Sequence, residues 1–220
     1  MHSGAPGGRE PGKLPRSRST RRTRALSGAR LGDLSAEMLV EAMSSVRKEE
    51  QMNVMELARI GGLIAQIGES EALDLLHELT QVGERGRLGH EQGVLAMIVF
   101  SRLCELNGPE AMRMMAEGEL GEGFANETDE VLTLGMNSWV AADPAGAKEW
   151  FDGMLSQVDA LALNGTEEAL ENAAGPMSLL EHEEMVAAYL RGMAKHDAEA
   201  LTNSLEGLQH PELRENLEEM

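Results

Sequence analysis

The chain has 220 residues, of which 26% are charged and 3% aromatic, and its net charge is −19. That length can bury a sizeable core. No apolar run approaches the roughly 20 residues of a membrane helix, so a soluble, cytoplasmic protein is expected. A single cysteine, Cys104, excludes an internal disulfide framework and a cysteine-built zinc cluster.

Charge is distributed unevenly along the sequence. Residues 1–30 hold Arg9, Lys13, Arg16, Arg18, Arg21, Arg22, Arg24 and Arg30 against Glu10, so their net charge is 8 − 1 = +7. The other 11 basic and 37 acidic side chains give the rest of the chain −26. Residues 1–32 read as a disordered basic tail, because Gly, Pro, Ser and Arg with few apolar side chains cannot offset the entropy of ordering. A secretory signal would need an apolar core of roughly 7–15 residues after the basic start, and none follows. Arg16, Arg18, Arg21, Arg22 and Arg24 could neutralise phosphates of nucleic acid or of an anionic membrane. There are no interleaved aromatics to stack on bases, and the acidic body is an intramolecular target for the same arginines.

Residues 33–220 read as one helical-repeat domain. From Ser35 onward Ala, Leu, Glu, Met and Gln dominate, β-branched and aromatic residues are sparse, and no segment alternates like a strand. Helix starts are marked by Ser35, by Asn107-Gly108 before Pro109, by Asp143 before Pro144, by Asp197, and by the capping box Ser178-x-x-Glu181. Aligning these starts exposes a repeat anchored on Ala72, Ala111, Ala147 and Ala200, each in the first turn of a second helix. Eight residues before the anchors stand Ile64, Leu103, Trp139 and Gly192; fifteen before stand Leu57, Ala96, Leu132 and Met185. The positions three and four beyond are Leu75 and Leu76, Met114 and Met115, Trp150 and Phe151, then Asn203 and Ser204. This spacing puts a small residue and its larger partners on one helix face. The anchors are 39, 36 and 53 residues apart, so the fourth unit follows an insertion, Val158 to Pro176, with a short helix begun by Thr166. The polar fourth unit reads as a terminal cap, and the final P-E-L-R-E-N-L-E-E-M as a short helix.

Trp139-x3-Asp143-Pro144-x2-Ala147-x2-Trp150 resembles the repeat unit of large, mostly uncharacterised bacterial proteins built from tandem W-x3-D-P-x2-A-x2-W helix pairs, similar in shape to tetratricopeptide solenoids. The similarity extends over roughly residues 35 to 208, with one unit matching in full. It implies an architecture and a scaffolding role, and it supplies no catalytic residues.

Candidates for chemistry have structural explanations. Trp139 and Trp150 fall on the two helices of one hairpin, where they pack its seam rather than sandwich a ligand. Asp143 caps a helix, and Cys104 reads as a buried, inert thiol. No two of His2, His77, His90, His182, His196 and His210 stand three or four apart, which excludes the paired-histidine zinc motif. Glu181-His182-Glu183-Glu184 points around a helix instead of converging. The segment from Gly83 to Gly93 lacks the phosphate-loop order and reads as a flexible linker between repeats. Met112, Met114 and Met115 cannot all face inward from one helix.

The expectation is therefore an all-α fold of stacked antiparallel helix hairpins, a short right-handed α-solenoid. It would act as a non-catalytic module, without cofactor or metal, that binds an unidentified protein or peptide. The alternative is an adaptor tethered to nucleic acid or an anionic membrane by its tail.

Overall fold

A computed structural model describes residues 34–48, 54–80, 89–120, 128–164, 183–208, 211, 214–215 and 217. The basic tail, Leu57's side chain, the Thr166 helix and the Ser178 capping box lie outside what is described. Among the described residues the structure is all-helical, with eight delimited helices and no strand. They are α1 (Ala36–Lys48), α2 (Val54–Ile64), α3 (Glu69–Thr80), α4 (His90–Ala116), α5 (Thr128–Ala142), α6 (Pro144–Asn164), α7 (Glu183–His196) and α8 (Ala198–Glu206). Pro211, Arg214, Glu215 and Leu217 beyond them are also helical.

Each helix turns one apolar stripe inward. Leu39 and Met43 of α1 are buried four residues apart, as are Ile60 and Ile64 of α2, while α3 buries Ala72, Leu75, Leu76 and Leu79. The stripe of α5, Leu132, Met136, Trp139 and Val140, has the same period. Fully buried side chains include Phe100, Leu103, Phe151 and Tyr189, and all belong to one continuous core.

Chain breaks fall where local chemistry dictates. Pro109 cannot continue a helix through its position, and Asn107, at φ −152° and ψ 77°, divides α4 into two arms. The Asn107 Oδ1 accepts from the Glu110 N–H at 3.2 Å, capping the second arm. Asp143 Oδ1 does the same for Gly146 at 3.0 Å, as does Asp197 Oδ1 for Ala200 at 2.9 Å. The end of α4 needs a left-handed residue, and Gly118 supplies it at φ 68°. There the Glu119 N–H reaches Met114 O at 3.0 Å and the Gly118 N–H reaches Met115 O at 3.2 Å, a Schellman closure.

The most extensive packing joins α4 to α5, then α3 to α4 and α5 to α7. α2 packs on α4, α4 on α5 and α5 on α7, while α3 packs on α4 and α6 on α5 and α7. The helix α1 packs on α2, α3 and α4. α6 runs unbroken to Asn164, so the stretch expected as an insertion, Val158 to Pro176, begins inside that helix. The Gly83–Gly93 segment is not linker throughout: Gly89 is the N-cap of α4, and Gly93 is buried inside that helix.

Candidate binding surface

Three helix starts share one capping geometry. In each of three turns the capping oxygen binds the N–H three positions on, so Asn107, Asp143 and Asp197 are equivalent. Asn107 and Asp197 even share a backbone conformation, Asp197 having φ −156° and ψ 77°. Gly68 stands at this position in the first unit, where its carbonyl accepts the N–H of Ala72 at 3.0 Å. Four residues after the caps come Ala72, Ala111, Ala147 and Leu201, all buried.

Leu201, buried four residues after Asp197, therefore matches Ala111 and Ala147 in spacing from the cap, whereas the expected Ala200 stands three after it. Ala200 is only half-buried and carries the capped N–H. Counting from Leu201, the residue eight before is Met193 rather than Gly192, and fifteen before is Val186 rather than Met185. Ile64, Leu103, Trp139 and Met193 are then all buried, as are Ala96, Leu132 and Val186. The positions three and four beyond become Ser204 and Leu205, both half-buried.

Trp139 of α5 is 2% exposed. A Cβ added to Gly108, at the start of the second arm of α4, would fall inside its indole. The Trp150 ring lies 5.4 Å away, tilted by 56°, and is half-buried. Phe151 stacks on Tyr189 of α7 at 3.8 Å and 21°. Gly135 brings α5 onto Phe100 and Cys104, and Gly192 brings α7 onto Val140. Cys104 is fully buried, and burial pushes its thiol well above the ordinary 9.0 with a smaller push from Glu105. Met112 is buried, whereas Met114 and Met115 are half-buried.

The gaps between neighbouring turns are closed differently. In the first, Arg102 donates through Nε and Nη2 to Ile67 O at 3.4 and 3.2 Å, and through Nη1 to Glu105 at 2.8 Å. Asn107 Nδ2 also donates to Glu69 Oε1 at 2.7 Å. The second is closed by Trp139 over Gly108, with Ser101 and Ser138 hydroxyls 2.5 Å apart nearby in sequence. The third is open, a cleft of about 500 Å³ lined by Pro144, Ala145, Lys148, Glu149 and Asp152 of α6 and by Met193, His196 and Asp197.

Three carboxylates in that cleft face one ammonium. Lys148 Nζ pairs with Asp152 Oδ2 one turn along, Asp197 is engaged as a cap, and Glu149 is exposed. Asp152 Oδ1 and the Tyr189 hydroxyl are buried without a partner. Burial raises the Tyr189 phenol well above its usual range, and the charge of Asp152 adds to the effect. Elsewhere Arg113 binds Glu110, Glu117 and Glu119 on the surface. Its hydrogen bonds hold the carboxyls of Glu110 and Glu119 below the usual range.

Among the described residues no three His, Cys, Asp or Glu side chains gather as a metal site, and no helix is long and apolar enough to cross a membrane. The chain matches no family model, no curated protein and no solved structure.

Proposed function

We propose that the chain is a short α-solenoid of four helix pairs, akin to the W-x3-D-P-x2-A-x2-W repeats, that serves as a non-catalytic scaffold binding a protein or peptide along its surface. The observation that carries this reading is the common register: four times over, a buried small or apolar residue stands four after a turn position and a buried residue eight before it, and in three of the four the turn residue is a side-chain cap. Such units bury their faces against successors and leave an extended outer surface for recognition. Trp139, Trp150, Asp143 and Cys104, the side chains with most chemical potential, are committed to packing or capping.

The test uses the full chain. Proteins it retains are identified and purified, and their affinities measured by calorimetry against wild type and the surface variants Glu105→Lys, Glu149→Lys and Asp74→Lys. At least one variant is expected to lose tenfold or more in affinity, about 1.4 kcal/mol, with an unchanged unfolding temperature. If no purified candidate binds more tightly than about 100 μM, or if all three variants bind as wild type does, the reading is wrong.

A further inference from the structure

The first and third turn gaps are equivalent in register but not in content. Arg102 stands nine residues before Ala111; nine before Leu201 stands Gly192. Asn107 and Glu69, bonded at 2.7 Å across the first gap, correspond to Asp197 and Pro144, which face each other across the cleft. Seven before the anchors, Ala65 of the first unit corresponds to Val140 of the third. A small residue thus accompanies Arg102, whereas Val140 fills the place a side chain at Gly192 would take. Arg102 supplies a guanidinium to the first gap, and among the described residues no arginine lines the third.

We propose that the third gap is a receptor for an arginine side chain, and that its occupant is the chain's own basic segment, residues 16–24. Three observations support this. Within the same molecule, the equivalent gap is closed by a guanidinium donating to a turn carbonyl and a carboxylate. The cleft presents the carboxylates of Glu149, Asp152 and Asp197 against Lys148 and His196, so it favours a cation whose planar donors can engage several oxygens together. The chain also holds a matching ligand, Arg16, Arg18, Arg21, Arg22 and Arg24, tethered to an oppositely charged body.

The tether is long enough. Arg24 and Arg16 stand 10 and 18 residues before Leu34, a reach of roughly 35–60 Å at full extension. From α1 to the cleft is about three helix spacings, on the order of 30 Å. Docking would place the tail over the turn between α5 and α6, blocking that edge to other partners and withdrawing the arginines from phosphates. This contact is intramolecular, so it stands or falls separately from partner capture.

The experiment follows cleavage of the tail of the full chain by an arginine-specific protease, at about 50 and 500 mM salt, since screening should release a charged contact. Three variants are compared with wild type. Glu149→Lys reverses charge at an exposed position of the cleft. Asp74→Lys makes the same reversal on α3. Val140→Ala with Gly192→Arg supplies the third gap with its own guanidinium, in imitation of Ala65 and Arg102. The expected result is slow cleavage of wild type at low salt and cleavage at least fivefold faster at high salt. Glu149→Lys and the double variant should be fast at both, with Asp74→Lys like wild type. Should the double variant not fold, as circular dichroism would show, Glu149→Lys against Asp74→Lys still decides. Fast cleavage of wild type at low salt overturns the proposal, leaving the tail available for nucleic acid or membrane. Equal acceleration by Glu149→Lys and Asp74→Lys overturns it in favour of diffuse attraction.

Discussion

At the scale of single residues, glycines show most directly how closely the helices approach. Gly108→Ala would drive a methyl into the Trp139 ring, which is buried and cannot retreat. Overpacking of this kind costs about 1–3 kcal/mol or more. Gly62→Ala in α2 meets nothing within 4 Å and should stabilise by about 0.5–1 kcal/mol through helix propensity. Urea unfolding of the two variants should move in opposite directions, and equal effects would contradict the packing described.

Cys104 and Tyr189 give a pH prediction of definite sign. Both groups are held neutral in the folded chain, chiefly by burial, and both have raised folded values. Their contributions are therefore complete below the unfolded values and lost as the pH climbs past them towards the folded ones. For Cys104 the loss begins near 9.0, with a slope of up to about 1.4 kcal/mol per pH unit. Cys104→Ala, though less stable at neutral pH, should flatten the decline between about pH 9 and 10. An unchanged slope in that variant would show that the thiol already ionises in the fold. Tyr189→Phe removes a buried hydroxyl without a partner and should be neutral or stabilising by up to about 1 kcal/mol.

At the scale of elements, capping residues and anchors determine where helices begin and meet. Asp143→Ala and Asp197→Ala each remove one cap bond and should cost about 1 kcal/mol apiece. Asn107→Ala should cost more, because the same side chain also ties the turn to Glu69. The register is tested by Leu201→Ala, expected to cost about 2 kcal/mol or more, against Ala200→Ser, expected within about 0.5 kcal/mol. The opposite ranking would restore Ala200 as the anchor.

This contrast also marks what a sequence discloses about such elements. Asn107-Gly-Pro and Asp143-Pro are local signals, since a cap oxygen and a fixed φ act within one turn, and the helices begin there as read. The turn at Asp197 has no proline, and only the bond from the N–H of Ala200 to Asp197 shows that Ala200 stands three residues after its cap, where Ala111 and Ala147 stand four after theirs. The roles of Gly89 and Gly93 in α4 escape a propensity reading, because propensity is weak beside tertiary packing. The cleft was illegible for a deeper reason: its two walls, Pro144 to Asp152 and Met193 to Asp197, lie more than 40 positions apart in the chain, and no local pattern encodes their meeting.

At the scale of the whole molecule, packing between neighbours should govern the order in which structure is lost. The interface of α4 with α5 is the most extensive, and in it Gly135 closely approaches Phe100 and Cys104 while Gly108 closely approaches Trp139. The helix α8 contributes one buried side chain, Leu201, and touches chiefly α7. In an array where stability is a sum of unit and interface terms, openings begin at the ends and the middle opens last. Native-state amide exchange should therefore be slowest in α4 and α5, at a rate set by global unfolding, and fastest in α8. Gly108→Ala, which damages the central seam, should bring the exchange of α4 and α5 towards that of the ends. A cap change such as Asp197→Ala should accelerate α8 and leave α5 nearly untouched. If all eight helices exchange at one rate, and Asp197→Ala accelerates them equally, the chain unfolds as a single cooperative globule and the nearest-neighbour description of its stability is wrong.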